Sequence, residues 1–349
     1  MYDAASTALS ALMMIIPLLL ARRYLADPAA MQLLLCVLCF AAVGYAFLVL
    51  FEVRMSPQLN RWIYGFFPHS WQQHVREGGG FRPVVFLNHG LILGIFLSFA
   101  LLATAGLTRV VPQRRGMFLA ATLWLGLTLL LSRNLGAVMI TMTLLPVVLF
   151  LGVRLQLLAA AIIMGIFLAY PVARTSQVLP LAQVLTLAEG IDPQRAQSFA
   201  FRMENEEWLL AKASERPLFG WGGWGRQRIF DEMGRDTSIT DGEWIIVLGR
   251  DGWVGYLARF GLLTGPVFLL LLHRRRYDIG METSVLTIIL AANLVDMVPN
   301  SSNTPLTWLI AGALWGRLEL QKAARTQGAA VVSQPAGSGY RRDDPASPV

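Results

Sequence analysis

Apolar residues run almost unbroken over nine stretches of this chain, near 5 to 21, 29 to 51, 83 to 106, 117 to 131, 135 to 151, 155 to 170, 253 to 272, 281 to 298 and 305 to 317. Several approach the length that crosses a hydrocarbon core of roughly 30 Å at the helical rise per residue. The runs are continuous rather than alternating, which predicts helices and not a barrel. The fold class expected is therefore an all-α polytopic integral membrane protein with about nine transmembrane helices. Residues 1–317 would form the membrane domain and 318–349, polar and rich in small residues, a disordered cytoplasmic tail.

Two polar regions interrupt the apolar pattern. The larger, 171–243, is too long for a structureless connection, and it predicts two helical pieces. In "SFAFRMENEEWLLAKASE" (198–215), Phe201, Glu204, Trp208, Leu209 and Lys212 recur at helical spacing, while Glu204, Glu206 and Glu207 read as surface residues. Pro217 and the glycines of "RPLFGWGGWG" end that piece. "TDGE" reads as a capping box with Thr240 as N-cap and Glu243 three residues on, opening a helix that lies at the interface to about 252 and crosses lipid after Trp253.

Charge supplies the sides. "ARRY", "TRVVPQRR", "GVR", "HRRRY" and the segment after Arg317 fall together when nine crossings are counted, and short basic loops stay in the cytoplasm. The segment 171–243, with eight Arg or Lys against eleven Asp or Glu, falls opposite. Loop 52–82, with four arginines against two glutamates, argues the other way. The count also places the N-terminus outside, which points to an uncounted or re-entrant segment or to a start further upstream. The first run lacks the basic flank of a signal peptide.

Composition agrees with the membrane assignment: 55% of residues are hydrophobic, 15% charged, and the mean hydropathy is +0.53. The net charge of +7 would suit nucleic acid in a soluble protein, but here it sits largely in inter-span loops, so no nucleic-acid partner is expected. Cys36 and Cys39 have CxxC spacing without a second pair or a nearby histidine. They read as small apolar residues in a span, and no metal or cofactor is expected.

The chemistry lies in charges at the outer ends of spans. Asp251, Gly255 and Arg259 fall in line at i, i+4 and i+8, with Glu243 and Arg250 on a neighbouring face. A charge as deep as Arg259 is costly unless it faces protein or water. Either it pairs with Asp251 or Asp296, or it lines an anion site. Arg133, in the short turn of "LLLSRNLGAVM", poses the same choice. Arg174, Arg202, Arg216, Arg226 and Arg228 bracket the outer segment, and guanidinium groups bind phosphoryl oxygens bidentately. Trp221 and Trp224 are either interfacial anchors or platforms on which sugars stack.

These residues resemble a known family. "RPLFGWGGWG" is similar to the "hPLFGxGxG" turn of the O-antigen ligase and polymerase family of bacterial polysaccharide assembly. "TDGEWIIVLGRDGWVGYLARFGLL" is similar to its outer motif ending in GxxG, here Gly252 and Gly255. "LLLSRNLGAVMI" resembles its "TxSRgaxl" turn, and "FRPVVFLNHGLILG" its early outer segment. The resemblance covers roughly residues 75–317 and rests on the order of the motifs.

What the resemblance implies is metal-independent glycosyl transfer on the outer face of the bacterial inner membrane, with the large loop periplasmic. The donor would be a glycan on undecaprenyl pyrophosphate, and the acceptor another lipid-linked glycan or lipid. Membrane lipids and polysaccharide assembly or chain-length proteins are the further partners expected. Arg133, Arg174, Arg202, Arg216, Arg250 and Arg259, with Trp221 and Trp224, would bind substrate. Asp241, Glu243 or Asp251 would activate the acceptor hydroxyl. The ligase branch has a histidine where this chain has Asp241, and no histidine occurs between His89 and His273, which favours a polymerase or exopolysaccharide type. The alternatives are a transporter or flippase of lipid-linked glycans, or a structural component of a polysaccharide secretion complex.

Overall fold

The computed structural model describes residues 2–68, 70–75, 80–176 and 193–332, with isolated positions 183, 186 and 190 between the last two stretches. Among them, secondary structure is helical apart from two isolated bridges, Val75 with Phe81 and Phe230 with Asp236. The helices are α1 (Tyr2–Tyr24), α2 (Pro28–Met55), the short α3 (Leu59–Tyr64), α4 (Gly90–Val110), α5 (Arg115–Leu131), α6 (Leu135–Phe150), α7 (Val153–Thr175), α8 (Pro193–Ser214), α9 (Glu243–His273), α10 (Met281–Asp296) and α11 (Pro305–Val332). Five helical segments are long and apolar enough to cross a membrane: Pro28–Met55, Gly90–Val110, Pro112–Leu131, Val153–Thr175 and Glu243–His273. The remaining apolar runs coincide with α1, α6, α10 and the first half of α11. Of these, α6 and α10 have only 16 residues each.

Helices α4 and α10 form the centre, because their small residues let neighbours approach on every side. Gly106 of α4 lies against Val285 of α10, and a side chain there would collide with it. Buried hydroxyls are satisfied within the bundle: Ser98 bonds Thr141 at 2.6 Å, and Thr104 donates to the Ala100 carbonyl at 2.6 Å. Leu35, Leu107, Leu263, Ile289 and Leu314 join the same core. Along the flank, α11 presses on α1 through Gly312 and Gly316, which meet the carbonyls of Leu18 and Arg22. Arg22 closes that contact with Glu319 at 2.6 Å.

Several boundaries differ from expectation for identifiable reasons. Residues 83–89 do not join α4. They fold back as a turn whose amides are held by the buried Glu52, which accepts from Val84 at 2.8 Å and Val85 at 2.7 Å. Val85 takes a left-handed conformation, φ 54°, unfavourable for a β-branched residue, and its carbonyl accepts from Asn60 at 2.6 Å. Helix α7 continues to Thr175 through Pro171. The segment expected to be a disordered tail continues α11 to Val332, and 333–349 lie outside the described residues.

The capping box does not form. Helix α9 starts at Glu243 behind Gly242, with no side-chain cap. The Glu243 amide donates instead to the carbonyls of Met297 (3.0 Å) and Asn300 (3.1 Å). Its carboxylate has stronger partners, described below.

Candidate functional site

The seam between the two glycine-rich motifs comes first, because it fixes what lies around it. Helix α9 breaks at Gly252, φ 64° and ψ −167°, a region essentially confined to glycine. A break strands backbone donors and acceptors, and each is costly without a partner in an apolar setting. The turn 217–222 supplies them. Trp253 and Val254 donate to the carbonyls of Pro217 (2.7 Å) and Leu218 (3.1 Å), while Trp221 and Gly222 donate to those of Gly249 (2.9 Å) and Arg250 (2.8 Å). Gly220 and Gly252 are both needed for the close approach, since a Cβ on either would fall within 2.5 Å of backbone across the seam.

The break also bends the two halves of α9 so that their charges converge. Arg250 clasps Asp251 bidentately at 2.8 and 2.9 Å. Arg259 bonds Glu243 at 3.2 Å and reaches Asp251 at 3.5 Å. Glu243 further accepts from Asn303 at 3.2 Å and from the Ser301 hydroxyl. The pairing alternative for Arg259 thus takes Asp251 and Glu243, whereas Asp296 accepts from Asn300 at 2.9 Å. Gly255 leaves room for the Asp251 side chain. This cluster ties α9 to the 297–303 segment.

Next to it opens a cavity of about 600 Å³. Four pieces of chain converge on it: Gln73 with residues 82–92, α8, residues 239–245 and the turn 299–302. Asp241 lies on the wall, held in place because Ile239 donates to Asn205 of α8 at 3.0 Å. It pairs with Arg202 at 3.4 Å, both side chains about 40% exposed. Arg82 and His89 line the same cavity from the stretch just before α4. His89 caps α4, its Nδ1 accepting from the Leu91 amide at 3.0 Å, so the neutral ring carries its proton on Nε2, 3.4 Å from the Gln73 amide oxygen.

One wall residue, Glu206, belongs to a buried polar cluster that the sequence disguises. Glu206 is 8% exposed and Arg174 6%. Glu206 Oε2 lies 3.3 Å from Arg174 Nε and accepts from the Tyr170 hydroxyl at 3.4 Å. Arg174 also donates to the Met203 carbonyl at 3.3 Å and approaches Glu207 at 3.9 Å. Trp244 packs edge-on to Tyr170, centroids 5.0 Å apart. Burial pushes the Glu206 carboxyl up to about 7, against the pull of the Arg174 charge. The surface reading of Glu206 is corrected: the buried face of α8 is Asn205, Glu206, Leu209 and Ala213, and Phe201 and Trp208 are exposed.

Of the residues singled out in the sequence, Asp241 and Arg202 meet at the cavity, and Arg174 supports it through Glu206. Glu243, Asp251, Arg250 and Arg259 belong to the neighbouring ion-pair cluster. Arg133 sits in the α5–α6 turn at φ 56°, its guanidinium beside Gly80. Arg216 and Lys212 lie over the Trp221 ring at 4.2 and 3.8 Å, so cations of the chain itself use that platform. Trp224 is exposed. Sequence reasoning missed Arg82, His89 and Glu206. His89 is distant in sequence from Asp241 and comes to the same cavity from another segment. Its position just before a helical apolar run was the one available signal.

The cavity combines two guanidinium groups, a neutral imidazole N–H donor and two carboxylates with the hydroxyls of Ser301 and Ser302. That set suits a ligand with an anionic part and several hydroxyls. No protein-family model, no curated protein and no solved structure matches the chain.

Proposed function

We propose that this chain is a bacterial inner-membrane glycosyltransferase. It moves a glycan from undecaprenyl pyrophosphate to an acceptor glycan or lipid on the periplasmic side, as a polymerase or exopolysaccharide-type member of the family it resembles. In this reading the nine apolar runs all cross the bilayer, and segment 171–243 is periplasmic. The observation that carries the reading is the cavity wall on which Arg82, Arg202 and His89 stand with Asp241 and Glu206.

Arg82 and Arg202 bind the pyrophosphate, whose departure needs charge stabilisation more than a proton. The His89 N–H donates to the same oxygens or to a sugar hydroxyl. The acceptor oxygen forms its bond to the anomeric carbon as the bond from that carbon to the phosphate oxygen breaks. A wall carboxylate takes the hydroxyl proton. Arg133, Arg216, Arg250, Arg259, Trp221 and Trp224 act in this scheme by holding the outer segment around the cavity.

A transporter would leave the groups freed by a broken helix open to a substrate or ion. At Gly252 the turn 217–222 occupies them, which supports the enzyme reading over the transporter. The test is glycan chain-length analysis in a deletion strain complemented with wild type, Arg202→Ala or Arg82→Ala. Loss of polymer with accumulation of single lipid-linked units on the periplasmic face indicates a polymerase, and polymer retained on its carrier a ligase. Units trapped on the cytoplasmic face refute the reading in favour of transport.

A further inference from the structure

We infer that Glu206, rather than Asp241, is the carboxylate that accepts the proton of the acceptor hydroxyl. The inference deepens the glycosyl-transfer reading and rests on it. Both residues line the cavity, but their surroundings differ. Asp241 is about 40% exposed and already engaged by Arg202 at 3.4 Å. Its geometry suits a different task, holding the Arg202 guanidinium ready for the pyrophosphate.

Glu206 is withdrawn from water and fixed from behind. The Tyr170 hydroxyl and Arg174, both of α7, grip Oε2. Trp244 of α9 closes the space beside them. On α8 itself Glu207 shares Arg174 and Arg202 stands one turn before Glu206, and Asp241, Arg82 and His89 line the cavity from other segments. A buried ion pair recovers little of its desolvation cost, and well-packed apolar residues usually serve stability as well or better. Packing of α8 on α7 alone therefore does not call for this cluster. A desolvated, oriented carboxylate with a proton affinity matched to neutral pH is what a general base requires.

In the step itself, the acceptor O–H bond breaks and its proton moves to Glu206 while the oxygen joins the anomeric carbon. The bonding pair of the old glycosidic bond leaves with the polyprenyl pyrophosphate. Glu206 then returns the proton to water through the open side of the cavity. No other reactant is needed.

The test uses the full chain in proteoliposomes, with the lipid-linked repeat unit extracted from the deletion strain as donor and acceptor, and kcat and donor KM followed against pH. Wild-type kcat should rise with pH through an acid limb near 7. Glu206→Gln keeps shape and hydrogen bonding, and should lower kcat by roughly 100-fold or more, the usual range for a general base. Its donor KM should stay at the wild-type value, and the acid limb should vanish. Asp241→Asn should instead raise donor KM and keep the limb. If Glu206→Gln fails to accumulate, Tyr170→Phe serves, because loss of the hydroxyl donor should move the limb to higher pH. Wild-type kcat in Glu206→Gln, lost activity with the limb intact, or an unmoved limb in Tyr170→Phe overturns the inference. Absence of any transfer by the wild type overturns the glycosyltransferase reading and this inference with it.

Discussion

The amide of Trp253 donates to the carbonyl of Pro217 at 2.7 Å, and through this and its neighbouring bonds a turn and a broken helix become one backbone unit. Neither motif is complete alone. The turn would leave its amides unpaired without α9, and α9 would expose its break to lipid without the turn. Sites built on such a unit inherit its rigidity, and the ion-pair cluster of Arg250, Asp251, Arg259 and Glu243 is placed by it.

Gly252→Ala should dismantle this seam. The backbone there costs a non-glycine residue of order 1–3 kcal/mol, and a methyl group would also meet the Leu218 carbonyl. The expected result is reduced protein in the membrane and a lower melting temperature in detergent, measured by fluorescence-detected size exclusion. Gly261→Ala, with open space around it, is the control and should match wild type. Equal behaviour of the two variants would mean that the seam contributes nothing to stability.

Removing one member of the Glu243–Arg259 pair should cost more than removing both. Glu243→Leu deprives Arg259, Ser301 and Asn303 of a shared acceptor, and because these groups are only partly withdrawn from water the loss should lie at the low end of the roughly 1–3 kcal/mol that an unsatisfied polar group costs. Combining it with Arg259→Leu should recover part of that loss, read as a coupling energy from thermal or denaturant unfolding. Strict additivity would show that the two side chains act independently.

Stability should depend on pH through Glu206. Folding raises its carboxyl from an ordinary 4.5 to about 7, so the folded chain binds more protons than the unfolded chain between those values. Stability is then fully present below 4.5 and falls as pH rises through 7. Melting temperatures should therefore decline across that window in wild type, and the decline should be smaller in Glu206→Gln. Parallel profiles would place the titrating group elsewhere.

The nine-crossing arrangement predicts opposite exposure for two surface positions. In a Cys36- and Cys39-free background, Ser214→Cys at the end of α8 should react with a membrane-impermeant thiol reagent in outer-membrane-permeabilised cells. Thr326→Cys in α11 should react only after lysis of the inner membrane. Both side chains are exposed, so burial does not confuse the readout. Labelling in the reverse pattern would invert the orientation and move the cavity to the cytoplasm.

Much of this architecture is legible in the sequence because long apolar runs have few alternatives to helix. The turn at Pro217 and the end of α8 follow equally from Pro and Gly. What escapes notice is decided by tertiary partners. "ENEE" looks like a solvated face, yet Glu206 finds Arg174 and Tyr170, which lie on another helix. "TDGE" has the spacing of a capping box, but Glu243 is taken by Arg259 and the 297–303 segment. His89 and Arg82 carry no local sign of the cavity they share with Asp241. Glu52 looks like a loop charge and is instead the buried anchor of the 84–85 amides.

The clasp between α1 and α11 joins two side chains 297 positions apart, Arg22 and Glu319. Gly312 and Gly316 let the carbonyls of Leu18 and Arg22 come close, and a side chain at either would meet them. The spacing of the two helices is thus set by what two residues lack: enlarging either would part them, whereas the exposed ion pair can be lost with the contact still standing.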